Sequence, residues 1–442
     1  MRIKNFGQLA KSRPREAALQ IAEAGLQAID TESVVKNAVQ FAGDTLSVKG
    51  EKFKLAPDGK LLVIGVGKCA LESGRVLEKI LGERLSGGII LTSNKPSLEI
   101  RNLKLEIRFG THPFPTQSNV DATKEIIQTL TGLSEKDTVL FVVSGGGSTL
   151  LCLPAIASAE AGQPQDHTCE DEAKILRCLF AGGADIYEIN TLRKHTSLAR
   201  GGWLARYACP AQVISLIFSD VPGGELAFIA SGPTVRDKTT VADAEAVLEK
   251  YAIREKCNLP RLELIETPKE DKYFEKVTNL LVVSNQAALG AMAAEAEKSG
   301  FTPRIMTANL RGEARDVGRE IADVLHEAAP GTVHLYGGET TVTVQNPQGR
   351  GGRNLELALG ALRELKEGEL VLALASDGRD NTDFAGAVSD IMTKEHSEKL
   401  KLDAAQFLAE NDSYEFFKAT GDALITGDTG SNVSDLIVAL KD

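Results

Sequence analysis

Short apolar runs that end at glycine or a small polar residue constrain the fold of this chain more than any other feature. They are rich in Val, Ile and Leu and do not alternate with polar residues, which is typical of strands buried on both faces of a parallel sheet. Helical patterns separate most of them, so the sequence predicts an α/β fold with a Rossmann-like parallel sheet and helices on both of its faces. The predicted strands are residues 61–66, 88–92, 105–109, 138–143 and 212–218.

A second series of apolar runs follows a charged stretch, residues 251–276, that has no apolar periodicity. Because 442 residues exceed the usual size of one domain, we interpret this stretch as a linker. The sequence therefore predicts an N-terminal α/β domain of residues 1–275 and a smaller C-terminal α/β domain of residues 276–442. The predicted strands of the second domain are residues 279–283, 304–307, 332–336, 341–344, 370–374 and 433–440.

The charge balance disfavours partners that carry many negative charges. Fifty Lys and Arg residues against 61 Asp and Glu residues give a net charge of −11, which argues against binding to nucleic acid or to an anionic membrane. No apolar run approaches the roughly 18 residues that span a bilayer, and the first 20 residues lack the apolar core of a secretion signal. The six cysteines form no CxxC pair. We therefore expect a cytoplasmic protein with reduced thiols.

The first glycine loop follows strand 61–66 and contains Gly65, Gly67 and Lys68 in a G-x-G-x-x-A spacing. A dinucleotide site would also need an acidic residue about 20 positions further on, but the second strand ends in Thr-Ser-Asn-Lys. Backbone N–H groups and a lysine at a helix start instead favour an anion or a transferring phosphoryl group. The alternative is a surface lysine on a tight turn.

The second glycine loop, Ser144, Gly145, Gly146, Gly147 and Ser148, follows strand 138–143 directly. Three successive glycines allow backbone N–H groups to converge on phosphate oxygens, so we predict that this loop binds the phosphates of a nucleotide. It is not a Walker A loop, because the G-x-x-x-x-G-K spacing is absent. The alternative is a flexible turn.

Polar residues at two further places in the N-terminal domain are candidates for the site. Asn190, Arg193 and Lys194 lie on a predicted helix and are candidate substrate-binding residues, although a basic helix face would look the same. Asp220 follows strand 212–218 and is a candidate catalytic residue and Mg²⁺ ligand, although turn or cap aspartates are commoner. His112 is interpreted as structural.

The C-terminal domain adds three candidates. Arg353 opens a predicted helix, and a guanidinium beside the positive end of a helix indicates a bound anion. Asp377 lies on a loop with three carboxylates after strand 370–374, which indicates metal or base chemistry or else a solvated acidic turn. Asn285, shortly after strand 279–283, is a candidate nucleotide-binding residue. The turn Ser-Gly-Pro-Thr at 231–234 has no role that its residues suggest.

These motifs, in this order, resemble the class II glycerate 2-kinases, whose C-terminal part is called the MOFRL domain. The likeness covers nearly the whole chain and is most specific in VIGVGKCA, VSGGGSTLL, GADIYEINTLRKH, LYGGETTV, GGRNLELAL and TGSNVSDLI. It implies an ATP- and Mg²⁺-dependent enzyme that phosphorylates the 2-hydroxyl of D-glycerate in a cleft between its two domains. It also implies that Lys68 and Arg353 are the central catalytic residues.

Three departures from the family pattern concern its acidic and amide residues. Leu355 stands where the family usually has Gln, the aspartate loop is one residue shorter with Asn381 after Asp380, and Gly224 and Glu225 replace two acidic positions after Asp220. These departures leave the choice of a metal-binding carboxylate open between Asp220 and Asp377. Two other functions also stay open, an NAD(P)H-dependent hydroxypyruvate reductase and a non-catalytic nucleotide-binding protein. Formation of a homodimer is not decided by the sequence.

Overall fold

The structure, a computed structural model, describes residues 1–93, 104–155, 168–219, 225–259 and 262–442. Within these residues the α-helices are α1 Phe6–Leu9, α2 Arg13–Ala28, α3 Thr31–Ala38, α4 Ala70–Leu81, α5 Gln117–Leu130, α6 Gly147–Leu150, α7 Cys169–Ala181, α8 Ile186–His195, α9 Trp203–Ala208, α10 Val241–Lys250, α11 Ile253–Lys256, α12 Asn285–Lys298, α13 Ala314–His326, α14 Arg353–Leu362, α15 Ile391–Leu400, α16 Ala404–Ala409 and α17 Ser413–Thr420. None of the helices in these ranges is both long and apolar enough to cross a membrane.

The strands in the same ranges form three sheets. They are β1 Val39–Ala42, β2 Thr45–Val48, β3 Glu51–Lys54, β4 Leu61–Val66, β5 Gly87–Thr92, β6 Leu105–Phe109, β7 Thr138–Val143, β8 Gln212–Phe218, β9 Val277–Val283, β10 Thr302–Leu310, β11 Thr332–Gly338, β12 Glu369–Ala375, β13 Gly386–Asp390, β14 Ala423–Leu424 and β15 Asp435–Lys441.

The chain folds into two compact units. The first unit contains Val34–Ser219 and Glu225–Val282, and the second contains Met1–Ser33 and Val283–Asp442. The N-terminal helices thus share a unit with the C-terminal sheet, a grouping that the order of the sequence does not reveal. The domain boundary predicted between residues 275 and 276 stays a prediction.

The sheet of the first unit has the strand order β6-β5-β4-β7-β8-β9. The neighbours from β6 to β8 pair in parallel, and numbered along the chain this is the order 3-2-1-4-5-6 of a doubly wound sheet. The order reverses between β4 and β7. Open sheets of this kind bind their ligands at the carboxyl ends of the strands, at the point of reversal. The predicted parallel α/β sheet is confirmed. Its topology indicates a ligand site at the carboxyl ends of β4 and β7.

Two strand predictions for the second domain are wrong. The run at 279–283 is indeed a strand, but β9 lies at the edge of the first sheet, because an apolar run indicates a strand and not its partner. Residues 341–344 are not a strand. Thr341 makes only an isolated bridge to Glu313, and the backbone N–H of Thr343 donates to the Glu313 carboxylate at 3.0 Å instead of to a neighbouring strand. The short antiparallel sheet β1-β2-β3 was not predicted.

The sheet of the second unit is mixed, with the order β10-β11-β15-β12-β13-β14. Strands β10 and β11 are parallel, whereas β15 runs antiparallel to both β11 and β12. In this register Asp435, at the start of β15, is paired with Gly338 at the end of β11 and with Ala375 at the end of β12. The ends of two strands and the start of a third therefore meet at one edge of the sheet.

Arg15 on α2 explains why the N-terminal helices belong to the second unit. Its side chain is fully buried, with Nε and Nη2 each 2.6 Å from the two carboxylate oxygens of Asp390. Its Nη1 donates to Asp422 at 2.7 Å. Removing one member would leave an uncompensated buried charge, so these ion pairs hold α2 to residues 375 and 407 positions away along the chain.

Candidate active site

The two predicted glycine loops lie side by side at the carboxyl ends of β4 and β7, which pair in parallel up to Val66 and Val143. The backbone N–H of Lys68 donates to the carbonyl oxygen of Gly145 at 3.0 Å. The N–H of Cys69 donates to Oγ of Ser144 at 3.1 Å. These bonds join the loops into one structure at the point where the strand order reverses.

Gly67 permits this close approach of the two loops. Its φ is +120°, and a Cβ atom at this position would lie 2.2 Å from Oγ and 2.6 Å from the carbonyl oxygen of Ser144. Gly146 also has a positive φ, +82°, and a Cβ atom there would lie 3.5 Å from Cδ2 of His112 and 3.7 Å from Cγ of Lys68. The glycine loop therefore borders directly on a lysine and a histidine.

His112 lies in a positively charged environment together with Lys68 and Arg193. The side chain of His112 is exposed on one side, but desolvation by the surrounding protein, and then the positive charges of Lys68 and Arg193, lower its pKa to about 4. The imidazole is therefore neutral at physiological pH, with one N–H donor and one acceptor nitrogen. The sequence gives no sign of this environment, because three residues far apart in the chain create it.

Ser231 links the second glycine loop to helix α8. Its Oγ lies 3.0 Å from Oγ of Ser148 and donates to Oδ1 of Asn190 at 2.6 Å. The amide of Asn190 in turn donates to the carbonyl oxygen of Ile186 at 2.9 Å. Asn190, predicted to bind substrate, is 2% exposed and holds this internal network.

The segment around Ser231 has an unusual backbone. Ala230 and Ser231 adopt φ values of +52° and +57°, and Gly232 follows at +60°. Two successive non-glycine residues in the left-handed region are rare and cost roughly 1–3 kcal/mol each. Nothing in the residue types at 230–231 indicates this conformation, which explains why the turn had no assignable role. This left-handed backbone conformation turns the chain so that the hydroxyl of Ser231 contacts Ser148 of the glycine loop.

Arg193 and Lys194, neighbours on α8, have different surroundings. Lys194 is 3% exposed, and its Nζ lies 3.0 Å from Oδ1 of the buried Asp237. Burial raises the pKa of Asp237, but the charge of Lys194 and hydrogen bonds from Thr239 outweigh it and lower that pKa. Lys194 thus forms an internal ion pair. Among the described residues, the side chain of Arg193 makes one long hydrogen bond, from Nη2 to Oγ1 of Thr149 at 3.4 Å.

In the second unit Arg353 is the first residue of α14 and lies among carboxylates. Its Nε is 3.2 Å from Oδ2 of Asp435, its Nη2 is 3.3 Å from Oδ1, and its Nη1 pairs with Glu339. Burial opposes the charged guanidinium, but Asp435 and Glu339 outweigh it and raise the pKa of Arg353. Burial, opposed by Arg353 and assisted by Glu339 and Asp380, raises the pKa of Asp435 to about 7.

Asp380 of the aspartate loop caps α14 in the second unit. Its Oδ2 accepts a hydrogen bond from the backbone N–H of Leu355 at 2.8 Å, and its Oδ1 accepts one from Nδ2 of Asn354 at 3.3 Å. A carboxylate is favourable at a helix N-terminus. This role is structural and accounts for a buried acidic residue next to Arg353.

The remaining predicted residues have the following places. Asn285 starts α12, is buried, and donates from Nδ2 to the carbonyl oxygen of Ala308 at 2.7 Å. Asp377 follows β12, and its Oδ1 accepts from the backbone N–H of Arg379 at 3.1 Å. Asp220 lies outside the described residues. Within the described ranges, no group of three or more His, Cys, Asp or Glu side chains is arranged to hold a metal ion.

Asp435 and Glu339 were not singled out from the sequence. Both lie in motifs that carry the family resemblance, TGSNVSDLI and LYGGETTV. The motifs mark the segments, but the pairing of β11 with β15 is what brings these two carboxylates to Arg353.

Two family models match the chain. One, described as "Domain of unknown function (DUF4147)", matches residues 17–266, and the other, described as "MOFRL family", matches residues 332–435. The first alone covers more than half of the chain.

Known relatives match the chain over nearly its whole length. A glycerate 2-kinase of Pyrococcus horikoshii is 38% identical, with 96% of this chain and 97% of the relative covered. A D-glycerate 2-kinase of Thermotoga maritima is 36% identical over 92% of this chain and 96% of the relative. A crystal structure of glycerate kinase from Thermotoga maritima is similar with a TM-score of 0.80 and 33% identity, covering 97% of this chain and 99% of that one.

Proposed function

Since the chain belongs to the class II glycerate 2-kinase family, we propose that it transfers the γ-phosphate of ATP to the 2-hydroxyl of D-glycerate, which gives 2-phosphoglycerate. The observation that carries the proposal for the site is the junction of the two glycine loops at the reversal point of the first sheet. Gly65 and Gly67 lie in or next to β4, and the loop from Ser144 to Ser148 follows β7. We place the phosphates of ATP against these loops.

Lys68 and Arg353 supply the positive charge in this proposal. Phosphoryl transfer is catalysed mainly by positioning and by cations that neutralise charge on the transferring group. Lys68 lies beside the loop to which we assign the phosphates, and Arg353 opens α14 in the second unit. The two carboxylates that contact Arg353 orient its guanidinium and keep it charged.

Mg²⁺ is part of the proposal. Magnesium usually keeps several waters and binds through one or two carboxylates and the phosphates of the substrate, so it does not need a cluster of protein ligands. Asp377 supplies a partly exposed carboxylate after β12 and fits that need, and Asp220 stays a second candidate. When bound, the ion neutralises charge on the β- and γ-phosphates.

The cellular location and the oligomeric state are also part of the proposal. The six cysteines form no CxxC pair in the sequence, which is typical of reduced thiols, and we propose a cytoplasmic location. Light scattering on the purified protein, at several concentrations, tests the homodimer that the sequence left open.

The first test is an assay of the purified protein with ATP, Mg²⁺ and D-glycerate, in which enolase detects 2-phosphoglycerate without phosphoglycerate mutase. Formation of phosphoenolpyruvate is the expected result. A signal that appears only after mutase is added means attack by the 3-hydroxyl and overturns the regiochemistry. Oxidation of NADH by hydroxypyruvate alone, without ATP consumption, would establish the reductase instead.

A further inference from the structure

The guanidinium of Arg193, in the first unit, has a buried nitrogen without a hydrogen-bond acceptor among the described residues. Its Nε is buried and has no hydrogen-bond partner within the described residues, and its Nη2 makes only the long contact of 3.4 Å to Thr149. Buried donors are almost always paired in native structures, so an unpaired guanidinium N–H requires an explanation. Nε itself is shielded from solvent, but the Arg193 side chain is partly exposed, so an acceptor on a ligand can reach its terminal N–H groups.

Glu172, a carboxylate that acts electrostatically on Arg193, already has other partners. Glu172 accepts a hydrogen bond from Nη2 of Arg200 at 2.6 Å and one from Sγ of Cys152 at 3.2 Å. Burial first, and then the charge of Arg200, lower the pKa of Arg193 to about 10, while Glu172 and Cys152 act in the opposite direction. Arg193 therefore stays charged at physiological pH, and among the described residues no carboxylate forms an ion pair with it.

Lys68 and Arg193 both act electrostatically on His112, which lies beside the second glycine loop. The positive charges of Lys68 and Arg193 lower the pKa of His112. The imidazole of His112 and the aliphatic part of Lys68 border the space next to Gly146. Thr149 connects the group, because its Oγ1 accepts from Arg193 and donates to the carbonyl oxygen of Pro113 at 3.2 Å. A guanidinium and a neutral imidazole thus present N–H donors where positive charge predominates.

We infer that Arg193 and His112 bind the carboxylate of glycerate. The inference rests on the proposed function and adds to it the residues that select an acidic acceptor. The site suits a small oxyanion, because a planar guanidinium matches the two oxygens of such a group. The carboxylate is the group of glycerate that carries a full charge throughout the reaction. Held beside the glycine loop, it places the neighbouring 2-hydroxyl next to the phosphates that we assign to that loop.

The inference is tested by steady-state kinetics of Arg193→Lys, Arg193→Met and His112→Asn. We expect KM for D-glycerate to rise roughly 30-fold or more in Arg193→Met, and less in the other two, while KM for ATP stays within about 3-fold. Arg206→Met is the matched control, since Arg206 is exposed and lies 4.7 Å over the ring of Trp203. It should leave both KM values unchanged.

Glyceramide, in which the carboxylate is replaced by a neutral amide, separates charge recognition from general damage. The wild-type protein should prefer glycerate strongly, and Arg193→Met should lose most of that preference. A rise in KM for ATP with KM for glycerate unchanged would assign the anion to the nucleotide phosphates and overturn the inference, and so would unchanged kinetics. If Arg193→Met does not fold, Arg193→Lys and His112→Asn decide the question by the same comparison.

A binding measurement keeps the inference distinguishable from the proposed function. D-glycerate should raise the melting temperature of the wild-type protein and of Arg206→Met, but not that of His112→Asn or Arg193→Lys. A wild-type protein without kinase activity that still shows this pattern would refute the proposed function and retain the carboxylate site. Equal stabilisation of all four proteins would refute the carboxylate site alone.

Discussion

The guanidinium of Arg353 and the carboxylate of Asp435 face each other edge to edge, with Nε 3.2 Å from Oδ2 and Nη2 3.3 Å from Oδ1. This paired arrangement fixes the plane of the guanidinium as well as its position, which a lysine could not reproduce. The consequence is that the catalytic role proposed for Arg353 should depend on its shape.

Arg353→Lys should therefore lower kcat/KM by two or more orders of magnitude, about 3 kcal/mol, although the charge is kept. The control is Arg363→Lys, at the other end of α14, where the side chain is exposed. Circular dichroism should show that both variants fold. Near-normal turnover of Arg353→Lys would remove the paired geometry from the mechanism.

Asp435 should make the stability of the protein depend on pH. Its pKa is about 7 in the folded protein, above the usual value near 4, so the folded state binds the proton more tightly than the unfolded state. The free energy of unfolding should fall as pH rises from about 4 to about 7, and stay lower above that window. Urea unfolding at about pH 4.5 and about pH 7.5 measures this fall, which should be smaller in Asp435→Asn. Equal falls in both proteins would contradict the assignment to Asp435.

Lys68→Met should lower kcat/KM for glycerate by two or more orders of magnitude, because it removes a cation beside the loop assigned to the phosphates. Lys79→Met, with an exposed side chain in the last turn of α4, the helix that follows Lys68, is the control and should be fully active. The enolase-coupled assay measures kcat/KM for glycerate in both variants. An active Lys68→Met would exclude Lys68 from charge neutralisation.

Gly67→Ala should disrupt the junction of the glycine loops, since its Cβ atom would overlap Oγ and the backbone of Ser144. Gly132→Ala is the control, because Gly132 also has a positive φ, +83°, but has no atom within 4 Å of the added Cβ. We expect a stability loss of roughly 1–2 kcal/mol for the control and a larger loss, with little activity, for Gly67→Ala. Urea unfolding and the kinase assay distinguish the two.

Ser231→Ala should cost roughly 1–3 kcal/mol of stability, because buried Asn190 loses its hydrogen-bond donor. It should also lower the affinity for ATP, since the hydroxyl of Ser148, in the loop assigned to the phosphates, loses its contact with Ser231. Ala230→Gly is the comparison. It relieves a strained φ but keeps both hydrogen bonds of Ser231, and a change of stability below about 1 kcal/mol is expected. Equal effects of both variants would mean that backbone conformation, and not hydrogen bonding, matters here.

The strands and glycine loops of this protein can be predicted from residue types that lie close together in the chain. Buried strands such as Leu61–Val66 and Thr138–Val143 were predicted at their observed bounds, because continuous Val, Ile and Leu runs are a local signal for strands covered on both faces. The glycine spacing likewise identified both loops, since a positive φ or a close backbone approach leaves few other residues available. The candidates Lys68 and Arg353 followed from their positions at helix starts.

Tertiary structure decided which of these segments meet. Residue types in a strand do not specify its partner strand, and for this reason the prediction placed β9 in the wrong sheet. In the same way, the sequence around Arg15 does not reveal that its side chain contacts Asp390 and Asp422. The same holds for Asp435 beside Arg353, and for His112 beside Arg193. Their charge states depend on burial and on neighbours distant along the chain, because electrostatic interactions act through space, and only the folded chain defines those distances.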